Sequence, residues 1–322
     1  PPRSTLFPYT TLFRSGKEEY YENDELKIYR GEDFVVQKHI ILHQPTLGEI
    51  CDFSEKDYYS MLYNFTATPQ SLKVQLWEGG IDYTEIQPFQ LFYTLLYKAF
   101  PIEKTSIIFG DLDFSKFQVR QKEDDDSIFL YQAIPTGNIY ELIGSNIKGK
   151  MLHHFTSLAD AAKFVNTDED TLINQLSEDN RFGNYIFDDV SLEPVIIDEF
   201  TYNMIIDYLC KTHFIERDFR IPANNSTKMV LIEDAKEEME RAKNKEYHSQ
   251  LKNMISAMIN SEGFKYNHEQ VWNMKINAFM DSVKRIGKIK NAQLLLQSGY
   301  SGFGISFDDI DKKQIDWLGE LD

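Results

Sequence analysis

The stretch Lys275-Ile-Asn-Ala-Phe-Met-Asp-Ser-Val-Lys-Arg-Ile-Gly-Lys-Ile-Lys-Asn-Ala-Gln-Leu-Leu-Leu-Gln297 decides how the rest of the chain is read. Ile276, Phe279, Met280, Val283, Ile286 and Leu294 fall on one stripe at helical spacing, so the segment predicts a long amphipathic helix. Ser298-Gly-Tyr-Ser-Gly-Phe-Gly304 predicts its stop. Just upstream, Asn267-His-Glu-Gln270 has the form of a capping box ahead of Val271-Trp272. Before that, 237–260 carries Met239, Ala242, Leu251, Met254, Ile255 and Met258 at roughly helical steps and ends at Gly263. The C-terminal part of the chain therefore predicts helix almost throughout.

Towards the N-terminus the periods are mixed. Phe34-Val-Val-Gln-Lys-His-Ile-Ile-Leu-His43 has the β-branched density of a strand, and Pro45-Thr-Leu-Gly-Glu-Ile50 turns into a helix. Helices are predicted over 57–65, 69–77 and 88–100, with Thr68 as cap and Pro69 at the first helical position of the second. Ser106-Ile-Ile-Phe109 predicts an apolar strand ending at Gly110. Alternating segments at 117–121 and 127–132 predict a hairpin with an acidic tip. A short strand at 195–199 precedes an amphipathic helix over 200–212, with Tyr202, Ile205, Ile206 and Leu209 on one face, and a loop follows through Pro222-Ala-Asn-Asn-Ser-Thr227.

The 322 residues include 34 basic and 51 acidic side chains, for a net charge of -17, which repels nucleic acid and anionic membranes from most of the surface. Hydrophobic residues make up 42%, enough to bury a core in one large or two modest domains. Cys51 and Cys210 are the two cysteines, too few for a disulfide framework or a cysteine zinc site, which fits a reducing compartment. No apolar run approaches the roughly 20 residues of a membrane-spanning helix. Thr5-Leu-Phe-Pro-Tyr-Thr-Thr-Leu-Phe-Arg-Ser15 reads as a translated sequencing-library adapter, so 1–15 are set aside as an artefact, and 16–33 read as a flexible lead-in.

No catalytic constellation emerges. His39 and His43 share a strand face without a third ligand. Asp111 and Asp113 form a D-x-D that could hold a divalent cation only if further oxygens converged, and His153-His154 have no ligand in register. Neither G-x-S-x-G nor H-E-x-x-H occurs, and the glycines of 299–304 follow a helix rather than cradle a phosphate. The expectation is a non-enzymatic protein with no catalytic residue, metal or cofactor.

Between 149 and 189, Phe155-Thr-Ser-Leu-Ala-Asp-Ala-Ala-Lys-Phe-Val-Asn-Thr-Asp-Glu-Asp-Thr-Leu-Ile-Asn-Gln-Leu176 resembles the helix-turn-helix modules attached to homing endonucleases. Ser157 would cap its first helix, 171–176 lie in the second, and Phe182-Gly-Asn-Tyr-Ile-Phe187 resembles the closing strand. That resemblance implies DNA contact through Lys163, Thr171, Asn174 and Gln175. The charge argues against it: three basic residues face eight acids, and counterion release cannot drive binding from such a surface.

Elsewhere, Ile41-Leu-His-Gln-Pro-Thr-Leu-Gly-Glu-Ile50, Ala67-Thr-Pro-Gln-Ser-Leu-Lys73, Phe109-Gly-Asp-Leu-Asp-Phe114, Ser256-Ala-Met-Ile-Asn260, Ala278-Phe-Met-Asp-Ser-Val-Lys-Arg-Ile286 and Ile315-Asp-Trp-Leu-Gly-Glu-Leu321 resemble tailed-bacteriophage proteins of the tail-morphogenesis group. The resemblance implies a tail assembly chaperone-like or minor virion structural protein in the host bacterial cytoplasm or the virion. Its partners would be other phage tail or virion proteins, with no membrane and no nucleic acid; DNA binding through 155–187 is the alternative. Within 236–290 the charge is locally basic, and Lys284, Arg285, Lys288 and Lys290 offer a face on which the acidic tail could dock. Trp317 and Leu318, with Ile315, are the expected partner-binding anchors.

The fold class that follows is α+β, predominantly helical, with a small antiparallel hairpin or sheet and an inserted helix-turn-helix-like unit. The expected organisation is an α+β core over 34–138 and 190–235, the insertion at 139–189, a helical region at 236–304 and an acidic tail at 305–322.

Overall fold

The computed structural model describes residues 25–122, 126–135, 141–144, 151–153, 155, 157–188, 192–243, 246–301 and 310–321. The adapter-like segment, the hairpin tip at 123–125, His154 and the start of the tail lie outside them. The fold is α+β and mostly helical, 56% helix with small antiparallel sheets. Two compact units are formed. One comprises the residues up to Ile86, Lys104–Gly110 and those from Ile205 onward; the other comprises Gln87–Glu103 and Asp111–Met204.

In the first unit, the run expected as one strand is a hairpin, Phe34–Gln37 against Ile40–Leu42, with Phe34 opposite Leu42. Lys38 and His39 form the turn, because polar residues interrupting an apolar run are most cheaply placed at its tip. Order also begins before Phe34: 25–29 are helical, Ile28 is buried, and the Gln44 side chain donates to the Ile28 carbonyl at 2.6 Å. One buried position in five leaves no period to read.

Thr46 and Glu49 close a reciprocal capping box on the helix Leu47–Phe53, and Glu55–Phe65 follows. The helix expected from Pro69 starts later, at Lys73–Glu78. Thr68 and Ser71 exchange side-chain and backbone hydrogen bonds at 2.8–3.2 Å, and this closed turn competes with helix. The strand expected at 106–109 is instead the helix Ile102–Phe109, ended by Gly110 at φ +60°. A four-residue apolar run does not distinguish the two, and the contacts decide: Phe109 stacks on Phe65 at 4.9 Å, and the Ile108 carbonyl accepts from the His43 N–H.

The helix expected over 237–260 is two helices, Asn225–Lys243 and Gln250–Ile259. The second start needs acceptors for its free N–H groups. Ser249 caps Lys252 at 2.9 Å, while the distant Glu55 carboxylate accepts from Gln250 and Leu251 at 3.0 and 2.9 Å. Asn224 caps the earlier helix, inside the segment read as loop. Glu199–His213 buries Tyr202, Ile205, Ile206 and Leu209, the expected face.

In the second unit, the helix expected over 88–100 is broken into Pro88–Leu91, a π-turn at Phe92–Leu96 and a 3-10 turn at Tyr97–Ala99. Aromatic packing overrides the backbone period there: Phe92 lies 5.0 Å from Tyr202 and about 6 Å from both Phe100 and Phe114. The expected hairpin forms as Gln118–Gln121 and Ile128–Pro135, and Leu192–Ile197 adds a third antiparallel strand beside the latter.

The last pair of that ladder is Pro135 opposite Leu192, so the chain leaves and re-enters the sheet at facing positions. Between them lie a four-stranded antiparallel sheet and the helices Leu158–Phe164 and Glu169–Glu178, capped by Ser157 and Asp168. Phe155, Ala161, Ala162, Leu172, Leu176 and Phe187 form a core there. The expected closing strand is a small hairpin, Arg181–Phe182 with Tyr185–Asp188, turning at Gly183 with φ +59°. Replacing 139–189 by a short Gly-Ser linker is expected to leave the remainder folded, because the flanking strands already face one another. Circular dichroism and thermal melting check it: a cooperative transition is expected, and a molten product would show that 139–189 supplies core to the rest.

Candidate interaction surface at the C-terminus

The helix Ile276–Ser301 is built into the first unit at its N-terminal end. The Ile276 N–H donates to the Pro45 carbonyl and the Leu47 N–H to the Met274 carbonyl, both at 3.0 Å, and the Lys275 ammonium reaches the Gln44 carbonyl at 2.6 Å. Ile276 and Phe279 are fully buried. Met280, Val283 and Ile286 are half-buried, whereas Leu294, expected on the same stripe, is 65% exposed and Ala292 is buried instead. The helix ends at Ser301, inside the stretch 298–304 expected to stop it, after passing through Gly299, since one helical glycine costs only about 1 kcal/mol.

The basic face of this helix receives the tail through backbone carbonyls of its described residues. Arg285 Nη1 donates to the carbonyls of Trp317 and Gly319 at 2.7 Å each, and Lys288 Nζ to that of Glu320 at 2.5 Å. Lys284 lies over the Phe214 ring and Lys290 reaches Ser261 Oγ at 3.1 Å. Asp311 caps the turn Lys312–Ile315, and the Asp316 carboxylate accepts from the Leu318 and Gly319 N–H groups. Ile310 is buried and Ile315 half-buried, so these two apolar residues seat the strap. Trp317 is 49% and Leu318 75% exposed. The three expected anchors thus divide: Ile315 points inward, while Trp317 and Leu318 stand out on a backbone fixed by two cations.

Of the candidate DNA-facing residues, Lys163 lines an open cleft of 840 Å³ with Lys116, Asn166, Asp168, Glu169 and Asp170, while Thr171, Asn174 and Gln175 are not among its lining residues. Lys163 and Gln175 are exposed and Asn174 is half-buried. The Thr171 hydroxyl is engaged with Asp168 at 2.7 Å, and Lys116 pairs with Asp170 at 3.2 Å. Three carboxylates on the first turn of the second helix would meet a phosphate before any base could be read.

His39 sits in a turn rather than on a strand face with His43, whose Nδ1 lies 2.8 Å from Asp33. Asp113 caps the Phe114–Lys116 turn through Ser115. Among the described residues no three His, Cys, Asp or Glu side chains converge as a metal site, and no helix is long and apolar enough to cross a membrane.

Two features escaped the pattern reading because long-range contacts create them. One is a buried polar chain: Tyr58 donates its hydroxyl to His213 Nε2 at 2.5 Å, and His213 Nδ1 donates to the Leu209 carbonyl at 2.8 Å. Burial holds the His213 imidazole down to about 4. The other is a groove of 310 Å³ along the helix Glu55–Phe65, walled by Tyr59, Leu62, Tyr63, Ile215 and Tyr247. The Tyr59 hydroxyl is buried in it with no hydrogen-bond partner.

No curated protein and no solved structure matches the chain. The segment that holds both the long helix and the strap, residues 242–322, is similar to the YomV second domain, a phage-derived family, and this points to a phage protein.

Proposed function

We propose that this chain is a non-enzymatic bacteriophage protein that acts in tail assembly by binding other phage proteins, as a tail assembly chaperone-like or minor virion structural component. The observation that carries the reading is the presentation of Trp317 and Leu318. Both are exposed, both sit on a backbone held by Arg285 and Lys288, and both lie in the segment similar to a phage-derived family. A large apolar pair on a pre-organised backbone loses little conformational entropy on binding and is the usual form of a binding hot spot. The mechanism is burial: the anchors cover apolar helical surface on the partner, while the net charge of -17 keeps the complex dispersed.

The test is capture from phage-infected cells with the wild type and a Trp317→Ala, Leu318→Ala variant, with the bound proteins identified by mass spectrometry. Tail proteins are expected on the wild type and at least tenfold less on the variant, the loss of two anchors worth more than about 1.4 kcal/mol. Equal recovery on both, or recovery on neither, removes the reading.

A further inference from the structure

The hydrogen bonds that shape the strap leave out the two side chains it displays. Asp311 caps its turn through the Lys313 N–H at 3.0 Å, and the Trp317 and Gly319 N–H groups donate to the Ile315 and Asp316 carbonyls at 3.0 and 3.2 Å. The Asp316 carboxylate accepts from the Leu318 and Gly319 N–H groups at 3.3 and 3.2 Å. A Cβ at position 319 would come within 2.8 Å of Asp316 Oδ2, so glycine there lets the backbone close around that carboxylate. From the long helix come three further bonds, Arg285 Nη1 to the Trp317 and Gly319 carbonyls and Lys288 Nζ to the Glu320 carbonyl.

A carbonyl is the same group on every residue, so a bond to it does not depend on the side chain beside it. Arg285 takes the carbonyls on either side of Leu318 and so fixes the peptides that carry it, while Lys288 fixes the next residue but one. Bonds from a charged donor are stronger than those between neutral groups, which gives the two cations the larger share of the restraint. Trp317 and Leu318 are exposed and contribute none of these bonds. Two sets of residues in one short segment thus have separate physical tasks.

We infer that Arg285 and Lys288 are positioning residues that hold the strap by its backbone, and that 317 and 318 are specificity-determining positions whose side chains can be exchanged without releasing it. The partner is selected by the shape and apolar character of whatever stands at those two positions, and the frame presents it unchanged. The biological use of this arrangement rests on the reading of Trp317 and Leu318 as partner anchors. The division of tasks does not, because it is a property of the isolated chain.

The test is amide hydrogen exchange on the purified full chain, read by mass spectrometry over 311–321, with 276–283 in the same helix as Arg285 as the internal reference. In Trp317→Ala, Leu318→Ala the exchange of 311–321 is expected to stay within about twofold of wild type. In Arg285→Met, Lys288→Met it is expected to be at least roughly tenfold faster, with 276–283 and the thermal melt unchanged. Arg285→Lys keeps the charge on a differently shaped donor and is expected to fall between the two. In capture from infected cells the methionine variant, with both anchors intact, is expected to lose the tail proteins as the anchor variant does. A strap that opens when only 317 and 318 are changed, one that stays closed without Arg285 and Lys288, or full capture by the methionine variant overturns the inference. Capture that fails on the wild type removes the anchor reading, and the exchange rates still decide the division of tasks.

Discussion

Phe279→Ala is expected to destabilise the protein by about 3–5 kcal/mol, the cost of truncating a buried phenylalanine. Phe279 is fully buried, the Phe264 ring meets it edge-on at 6.5 Å, and it lies one turn into a helix whose start is hydrogen-bonded to the Pro45–Leu47 segment. These constraints leave the surroundings little freedom to collapse into the cavity. Leu294→Ala, two-thirds exposed on the same helix, is expected to stay within about 0.5 kcal/mol of wild type. Urea unfolding of the two variants checks both values. Equal small losses would mean that the helix Ile276–Ser301 is not seated on the core at its N-terminal end.

Acidification from pH 7 to pH 4 is expected to remove about 3 kcal/mol of stability through His213. Its imidazole titrates near the ordinary 6.5 when unfolded but is held to about 4 in the fold by burial, which outweighs the opposing hydrogen bond to the Leu209 carbonyl. Between those values the unfolded chain binds a proton that the folded one refuses. Stability is therefore fully present above about pH 6.5 and is lost as pH falls towards 4. Asp207 works in the opposite direction, because burial raises its carboxyl and the folded state then binds a proton more readily on acidification. His213→Gln can keep the hydrogen bonds to Tyr58 and Leu209 without a proton to gain. It is expected to flatten the dependence of urea midpoint on pH between 6.5 and 4 relative to wild type. An equally steep profile in the variant would assign the acid sensitivity to other groups.

Much of the fold was legible where one physical signal dominated. The apolar stripe that begins at Ile276 predicted the long helix, Tyr202, Ile205, Ile206 and Leu209 predicted the buried face of Glu199–His213, and Ser157 predicted the cap of Leu158–Phe164. The acidic balance and the pair of distant cysteines were likewise properties of residue type and spacing. Composition also anticipated that the basic face around Arg285 would receive the tail.

Tertiary structure decided what depends on residues far apart in the chain. Ser106-Ile-Ile-Phe109 is helix because Phe65 and His43 meet it there, and the break before Gln250 exists because Glu55 supplies acceptors from nearly two hundred residues away. The tail binds Arg285 and Lys288 through carbonyls, a mode invisible in side-chain chemistry because every residue has one. The same holds for the candidate site. Trp317 and Leu318 could be named from their type, but their outward presentation, the inward turn of Ile315 and the unpaired Tyr59 hydroxyl follow from burial. Residue type and local period are written along the chain, whereas burial is a property of the packed whole.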